Sequence, residues 1–367
     1  MFISVLIPVY KEPRLLEDII KKILRNRYEK KEILVGVDGD ISPEIEKVVN
    51  KYRSNIILYC SGNRQGKVNL LNHLAGLACG DVFLFLDNDV ELPEDESFLD
   101  NLSKEIVRHD IVELPKEAMV SSFFSKIVSY DFLAAAALCF VIFKIFKANL
   151  FLNGAAFAIK RQTFEELGKF SKVINEDWDL MLKAFSLRKS YSFPLNLKVK
   201  TMVPTNLEEW VEQRSRWALG VRFWWKQVFG NIKQCIKGLP IIFNIILLFS
   251  IPLIVGLVIR EFNVFSRLIP TLIILSQHLN INLRITSFSY IFSLMILLLQ
   301  GLGPFLVSLF ISSATFFVFS KVLKFRFNFG EYLIYTVLYF PILALFGCVY
   351  LVLGEVVIKP RLDWKVE

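Results

Sequence analysis

The chain has 367 residues, a length that suits one large domain and a smaller second module. Its hydrophobic content of 54% is too high for an ordinary soluble protein. Residues 239–367 contain nine Lys/Arg and five Asp/Glu, so they carry half of the formal net charge of +8. The first part is therefore only mildly basic, which argues against a nucleic-acid partner and favours contact with a membrane surface.

The first part of the chain alternates short apolar runs with segments of helical spacing. Strands are predicted over residues 2–9, 32–37, 56–59 and 82–86, and helices over residues 15–25, 43–52 and 66–76. This alternation predicts a mostly parallel sheet with helices on both faces. Such sheets bind ligands at the carboxyl ends of their strands, so polar residues that follow a strand are the candidates for a site.

The second part of the chain is interpreted as membrane-associated. The apolar run 132–143, which Lys144 and Lys147 interrupt, is too short for a span of ~20 residues, and we expect residues 119–150 to form an amphipathic segment on the domain or the membrane surface. Residues 213–237 combine six Lys/Arg with several aromatic residues and no acid, a composition typical of a helix at the lipid headgroups. About four spanning helices are predicted after it. They cover residues 239–259, 285–300, 302–320 and 332–353.

These patterns divide the chain into three regions. Residues 1–204 form the α/β domain, residues 205–238 the interfacial helices, and residues 239–367 the transmembrane helical region. Five cysteines are scattered along the chain without a Cys-x-x-Cys pair, which indicates reduced thiols and neither a disulfide framework nor a zinc site. The three histidines have no ligand-like spacing.

Two carboxylates stand directly after the predicted strand 82–86, in Asp87-Asn88-Asp89. Hard divalent cations prefer oxygen ligands, and a pair of carboxylates at a strand end is suited to hold Mg²⁺ or Mn²⁺ against a diphosphate. An isolated Asp-x-Asp is more often a solvated turn. The buried strand in front of this one favours a metal site at Asp87 and Asp89.

Polar residues also follow the second and third strands. Asp38-Gly39 ends the strand 32–37, where a carboxylate can accept hydrogen bonds from a nucleobase or ribose, although Asp-Gly alone is usually only a turn. Asn63-x-x-Gly66-Lys67 lies between a strand and a helix, where Lys67 can neutralise phosphate near the helix N-terminus. A lysine at the start of a helix is, however, more often simply exposed to solvent.

Glu176-Asp177-x-Asp179 begins an apolar helical segment. Acids in a first turn are favoured by the helix dipole, so helix capping is the plain explanation. The alternative is a general base that deprotonates an attacking hydroxyl. Asp177 is our first choice for this base and Glu176 the second.

Gln213, Arg216 and Trp217 have i, i+3, i+4 spacing and therefore share one helix face. A tryptophan offers a flat apolar plane for a sugar ring, and an arginine offers a fork of donors for phosphate. Contact with lipid headgroups explains the same residues equally well.

The order of these motifs along the chain resembles that of glycosyltransferase family 2. Within the family the similarity is to the membrane synthases of cellulose, chitin and hyaluronan and to ceramide glucosyltransferases. It covers roughly residues 3–237. The matching segments are Ile7-Pro8-Val9-Tyr10-Lys11-Glu12, Asp38-Gly39, Gly66-Lys67, Asp87-Asn88-Asp89, Glu176-Asp177 and Gln213-Arg214-Ser215-Arg216-Trp217.

The resemblance implies a GT-A (Rossmann-like) α/β domain, inverting stereochemistry and a divalent cation, Mg²⁺ or Mn²⁺. It also implies roles for individual residues, of which Asp177 as base and Asp89 as the direct metal ligand are the central ones. The nucleotide-sugar side would comprise Pro8, Tyr10, Glu12, Asp38, Lys67 and Asp87. The diphosphate and acceptor side would comprise Gln213, Arg216, Trp217 and Gly154.

Three functions follow as hypotheses. The first is a processive β-polysaccharide synthase that uses a UDP-sugar, and the second is a single transfer of sugar to a membrane lipid or polyprenyl phosphate. The third is a non-catalytic membrane scaffold that binds nucleotide-sugar. For all three we expect a multi-pass protein of the cell membrane whose α/β half, catalytic in the first two, lies in the cytosol, where nucleotide-sugars are expected.

Overall fold

We describe residues 1–230, 303 and 305–353 of a computed structural model. They divide into two compact units, one that combines residues 1–230 with 330–353 and one that contains residues 303 and 305–329. The larger unit carries the motifs identified from sequence.

The strands of this unit are short and the helices alternate with them over the first hundred residues. The strands are β1 (Ile3–Val9), β2 (Lys31–Val37), β3 (Ile57–Cys60), β4 (Val82–Leu86), β5 (Val90–Glu91), β6 (Ile111–Glu113), β7 (Lys116–Ala118), β8 (Ala156–Lys160), β9 (Tyr191–Ser192) and β10 (Val199–Thr201). The helices up to residue 230 are α1 (Leu16–Arg25), α2 (Pro43–Lys51), α3 (Lys67–Leu77), α4 (Phe98–Arg108), α5 (Phe123–Phe146), α6 (Arg161–Glu166), α7 (Glu176–Ser186) and α8 (Leu207–Gly230).

The main sheet has seven strands in the order β3-β2-β1-β4-β8-β6-β9. Strand β1 pairs in parallel with β2 and β4, and only the strand β8 runs antiparallel to its neighbours. The predicted mostly parallel α/β sheet is therefore confirmed, and the predicted strand 82–86 coincides with β4. All five β4 residues are buried, as expected for a strand with helices on both faces.

One edge of this sheet collects the polar motifs. The carboxyl ends of β1, β2 and β4 meet there because these strands are parallel. Strand β8 is antiparallel, so the loop before it, and not the one after it, reaches the same edge. The backbone N–H of Asp87 donates to the carbonyl of Ala155 at 2.8 Å, which joins the two loops. A second, three-stranded sheet (β5-β10-β7) lies beside them, and the N–H of Met202 donates to Asp89 O at 3.0 Å.

Three described helices are long and apolar enough to cross a membrane: Phe123–Phe146, Phe305–Leu323 and Phe329–Tyr350. The last two, α9 (Phe305–Leu323) and α10, correspond to the predicted spans 302–320 and 332–353. Helix α10 comprises Phe329–Ile334, a π-helical turn at Tyr335–Tyr339, and Phe340–Leu353.

Helix α5 corrects the expectation that the apolar run 132–143 is too short to belong to a spanning helix. The helix runs through 24 residues, about 36 Å at 1.5 Å each, because it includes residues on both sides of the apolar run. The predicted spans 239–259 and 285–300 and the interfacial residues 231–237 lie outside the described residues. Helix α10 groups with the larger unit, and the division into three regions remains a prediction.

Candidate active site

A lysine and two pairs of carboxylates lie close together at the carboxyl edge of the sheet. Lys67, the first residue of α3, places its Nζ 2.7 Å from Asp87 Oδ1 and 2.9 Å from Oδ2. Burial alone would lower the pKa of Lys67, but the charges of Asp87, Glu176 and Asp177 outweigh it and raise this pKa. The side chain therefore stays cationic in a site surrounded by acids.

Asp89, two residues further on, has a different environment. Its Oδ2 pairs with Arg14 Nη1 at 3.1 Å, while its Oδ1 is buried and accepts no hydrogen bond from another described residue. Burial, together with the charge of Asp87, raises the pKa of Asp89 to about 6. Asp89 thus keeps one buried oxygen open to a ligand.

The predicted base pair begins helix α7. Asp177 accepts two backbone hydrogen bonds, from Gly154 N–H to Oδ2 at 2.8 Å and from Trp178 N–H to Oδ1 at 2.9 Å. Burial raises its pKa, and the Gly154 hydrogen bond opposes that rise. Burial also raises the pKa of Glu176, to about 7; the Lys67 charge opposes this and the Asp177 charge adds to it.

Gly154 is in contact with the side chain that it holds. A Cβ at this position would lie 2.9 Å from Asp177 Oδ2 and 3.0 Å from its Cβ. Only glycine lets the backbone come this close to the carboxylate. The structure therefore brings Gly154 into direct contact with Asp177.

A buried ion pair beneath the 153–154 loop supports this arrangement. Lys116 Nζ donates to Glu113 Oε1 at 3.2 Å and to the carbonyl of Asn153 at 2.7 Å. Glu113 in turn accepts from Asn153 N–H at 3.2 Å and from the Tyr191 hydroxyl at 2.7 Å. The two charged side chains are only 2% and 3% exposed. Hydrogen bonds between this buried ion pair and Asn153 thus anchor the loop that binds Asp177.

The carboxylate of Asp38 binds backbone N–H groups of the protein itself. It accepts from the N–H groups of Gln65 (2.7 Å) and Gly66 (3.0 Å), the two residues that precede Lys67. Gly66 has a φ of 84°, a left-handed conformation that favours glycine. Asp38 therefore orders the turn that delivers Lys67 to the site.

The loop after β1 lies beside this turn. The guanidinium of Arg64 lies 4.2 Å from the centre of the Tyr10 ring and donates to its hydroxyl at 2.7 Å. Asn88 holds the same loop through a 2.7 Å hydrogen bond to the carbonyl of Glu12. Tyr10 is 37% exposed and Pro8 is half-buried, so both remain accessible for contact with a ligand.

Helix α8 approaches the base from another side. Gln213, Trp217, Gly220 and Trp224 form one stripe at i, i+4, i+7 and i+11. Trp224 packs on Trp178, with ring centres 5.7 Å apart. The stripe that carries Gln213 and Trp217 therefore faces the helix of the proposed base.

Gly220 makes the close approach of α8 possible. A Cβ there would lie 1.9 Å from Oδ1 of Asn175, the residue before Glu176. Two side chains of the stripe remain available: Gln213 Oε1 is buried without a partner among the described residues, and Trp217 is 42% exposed. Arg216 lies beside them, half-buried.

Several contributing residues were missed by the sequence analysis. Glu113 and Lys116 are the two charges in the otherwise apolar residues 111–116, a weak signal that nonetheless matches their burial as a pair. Gly220 and Asn175 gave no signal, because the contact between them joins distant parts of the chain.

The comparison with known families can now be set against this geometry. The model of "Glycosyl transferase family 2" matches residues 4–114, and that of "Glycosyl transferase family group 2" matches residues 82–348, more than half of the chain. The chain belongs to glycosyltransferase family 2. The two matches together include every motif discussed above.

Individual relatives are more distant. The poly-β-1,6-N-acetyl-D-glucosamine synthase of Staphylococcus aureus (strain COL) is 24% identical over 226 residues, which are 59% of this chain and 54% of the relative. The chain thus spans about half the length of the curated relatives it matches. A probable glucomannan 4-β-mannosyltransferase of rice (Oryza sativa subsp. japonica) is 32% identical over 81 residues, 22% of this chain and 14% of the relative.

Among solved structures, a mannosyltransferase from Pyrobaculum calidifontis, in complex with GDP-Man and Mn²⁺, matches with a TM-score of 0.50 at 20% identity. The match covers 62% of this chain and 64% of that one. It supports the fold, and the expected GT-A α/β architecture of the family member is confirmed.

Proposed function

We propose that this family member transfers a sugar, with inversion, from a UDP-sugar to a saccharide acceptor as a processive β-polysaccharide synthase. The observation that carries the proposal is the cluster in which Lys67 pairs with Asp87 and interacts electrostatically with the half-buried Glu176 and Asp177. Such a cluster provides a cation for a departing diphosphate and a carboxylate for an attacking hydroxyl.

The proposed reaction is a single displacement. Asp177 removes the proton of the acceptor hydroxyl as its oxygen attacks the anomeric carbon, and the nucleoside diphosphate leaves from the opposite face. The two backbone hydrogen bonds to Asp177 orient the carboxylate before substrate binds. Lys67 stabilises the negative charge that develops on the leaving diphosphate.

Asp87 and Asp89 fit a divalent cation, either Mg²⁺ or Mn²⁺. The support is the buried Asp89 Oδ1, which accepts no hydrogen bond from another described residue and needs a partner. The described residues contain no group of three or more His, Cys, Asp or Glu that could hold a metal by themselves, so donor phosphate oxygens would complete the ligand set. When bound, the cation neutralises charge on the leaving diphosphate.

The remaining side chains divide into a donor and an acceptor group. We assign the nucleoside to Pro8, Tyr10 and Glu12, while Asp38 acts on it through the turn that it orders. Gln213, Arg216 and Trp217 take the donor diphosphate and the acceptor sugar, with Gly154 lining the acceptor side. The location of the stripe opposite α7 supports this assignment.

A polymer is the preferred product because several relatives are named poly-β-1,6-N-acetyl-D-glucosamine synthases, and UDP-N-acetylglucosamine is accordingly the first donor to test. One observation favours the alternative, a single transfer to a membrane lipid. Trp217 lies next to Phe132 of α5, a helix long enough to span, so an acceptor at Trp217 would lie beside a candidate membrane helix. We assign the catalytic part of the chain to the cytosolic side of the membrane.

The decisive experiment measures transfer of radiolabel by the full chain in lipid vesicles, with Mg²⁺ or Mn²⁺ and a panel of nucleotide-sugars. Wild type, Asp177→Asn and the surface control Asp100→Asn are compared, and products are separated into polymer and lipid-extractable fractions. Label in polymer that is lost only in Asp177→Asn supports the synthase, and label confined to lipid supports the alternative. Absence of transfer and of donor hydrolysis with every donor would leave only the non-catalytic scaffold.

A further inference from the structure

A buried ion pair lies where α5, α8 and α10 meet, and the proposed reaction does not use it. Arg214 Nη2 donates to Asp131 Oδ2 at 2.6 Å, and the side chains are 4% and 11% exposed. The partners belong to different elements, since Asp131 lies in the middle of α5 and Arg214 lies in α8 between Gln213 and Arg216. A charge pair this buried needs further hydrogen bonds to be stable.

Helix α10 supplies these hydrogen bonds. Tyr335 donates to Asp131 Oδ1 at 3.1 Å, and Tyr339 donates to Oδ2. The two tyrosines are the ends of the π-helical turn, a feature often found at functional sites. Trp210 of α8 donates to the Tyr339 hydroxyl at 2.6 Å, which closes the network. The position of the Asp131 carboxylate is thus set by three helices.

The Arg214 guanidinium also contacts Trp217, the residue proposed to bind the acceptor sugar. Its central carbon lies 4.1 Å from the centre of the Trp217 ring, the distance of a cation–π contact. Phe132, next to Asp131, approaches the same ring with its centre 6.4 Å away. Trp217 remains 42% exposed, so the arginine and the phenylalanine hold the ring while much of its surface stays open.

We propose that Asp131 and Arg214 are positioning residues that fix the indole of Trp217 in the orientation needed to receive the acceptor sugar. This inference rests on the acceptor role proposed for Trp217. Without Asp131 the guanidinium would be a buried charge with no counter-ion, and it would leave the ring for water. The planar guanidinium is also required, because an ammonium has no flat face to stack on the indole.

Ser215 provides a matched control on the same helix. Its hydroxyl forms a 2.7 Å hydrogen bond with the hydroxyl of Tyr350, so it too joins α8 to α10 in a buried contact. Ser215 lies about 160° around the helix from Trp217. Ser215→Ala therefore weakens the packing of the helices without touching the ring, as a purely structural role of Asp131 would do.

The first test observes Trp217 directly and needs no turnover. The full chain is labelled with 5-fluorotryptophan in lipid nanodiscs, and the ¹⁹F resonance of Trp217 is identified by its loss in Trp217→Phe. We expect this resonance to shift or broaden in Asp131→Asn and in Arg214→Lys, and to stay in place in Ser215→Ala. Arg214→Lys keeps a charge for Asp131, so it decides the question if Asp131→Asn does not fold. An unchanged resonance in Arg214→Lys would overturn the proposal.

The second test separates acceptor binding from donor chemistry. With UDP-N-acetylglucosamine as donor and an N-acetylglucosamine pentasaccharide as acceptor, we expect the acceptor KM of both variants to rise about tenfold. Donor hydrolysis without acceptor should stay within about twofold of wild type. Equal losses of hydrolysis and transfer would overturn the positioning role. A wild type without turnover would refute the proposed function, while the fluorine spectra would still decide this inference.

Discussion

At the scale of single residues, the site depends on how close the backbone comes to one carboxylate. Gly154 donates to Asp177 from a position where no other residue has room, and the hydrogen bond favours the charged form of the acid. The proposed base is thereby oriented and kept ionisable although partial burial raises its pKa. Two substitutions test this arrangement.

Gly154→Ala should lower kcat by about 100-fold, because the new methyl group pushes the Asp177 carboxylate away from the attacking hydroxyl. The measurement is donor turnover at saturating substrate, together with the thermal midpoint of the protein. Gly76→Ala is the control, since a Cβ there meets no atom within 4 Å. Full activity in Gly154→Ala would show that Asp177 does not need its present position.

The pH dependence of the reaction tests which acid is the base. The pKa of Glu176 is raised to about 7. Glu176 and Asp177 must both be deprotonated before Asp177 can accept the proton of the acceptor hydroxyl. We therefore expect kcat/KM to rise with pH and level off above about 7. Glu176→Gln removes the neighbouring charge, lowers the pKa of Asp177 and moves this acid limb to lower pH. An inactive Glu176→Gln at every pH would assign the base to Glu176 instead.

At the scale of elements, the loop before β8 and the helix α8 are held in place by contacts that contribute no chemistry. The pair of Glu113 and Lys116 anchors residues 153–154 from below. Gly220 and Trp224 bring α8 against the start of α7. Because these contacts are buried, their loss should affect stability as well as activity.

Lys116→Met should destabilise the protein by about 3–5 kcal/mol, since it leaves Glu113 buried without a counter-ion. The expected observation is a lower unfolding midpoint in denaturant or on heating. Lys104→Met is the matched control: Lys104 pairs with Asp100 on the surface of α4, where such pairs contribute about 0–1 kcal/mol. Equal midpoints for the two variants would contradict a supporting role for the buried pair.

At the scale of the whole molecule, a family 2 glycosyltransferase unit is joined to helices suited to a membrane. Three described helices are long and apolar enough to span, and one of them, α5, lies inside the stretch that also forms the catalytic domain. Helix α10 returns to the same unit and donates to Asp131 of α5. Two of the candidate membrane helices, α5 and α10, therefore contribute to the network around Arg214, which stacks on Trp217.

The orientation in the membrane can be tested with native thiols. Cys60 and Cys79 are exposed free cysteines on the α/β unit. In a variant that retains only these two, a membrane-impermeant maleimide should label lysed cells and leave intact cells unlabelled if this unit is cytosolic. Replacing both by serine supplies the background, and labelling of intact cells would reverse the assigned orientation.

Much of the fold was predictable because local patterns report burial. Continuous apolar runs marked the buried strands, and the apolar stripe of Leu16, Ile19, Ile20 and Ile23 marked the core face of α1. The position of Asp38, Asp87 and Asp89 at one edge was also predictable, because polar residues that follow parallel strands meet there. The sequence analysis underestimated the length of α5, because the apolar run 132–143 is only part of a 24-residue helix. Asp131, next to this run, pairs with Arg214 of α8.

The sequence by itself determined the fold class, the family and the chemical types of the proposed site, since these depend on periodicity and on motifs within short segments. The tertiary structure decided which groups touch: Gly154 with Asp177, Gly220 with Asn175, and Asp131 with Arg214. The last pair is separated by 83 residues along the chain. Such contacts depend on packing between distant segments, and neither composition nor spacing carries information about them.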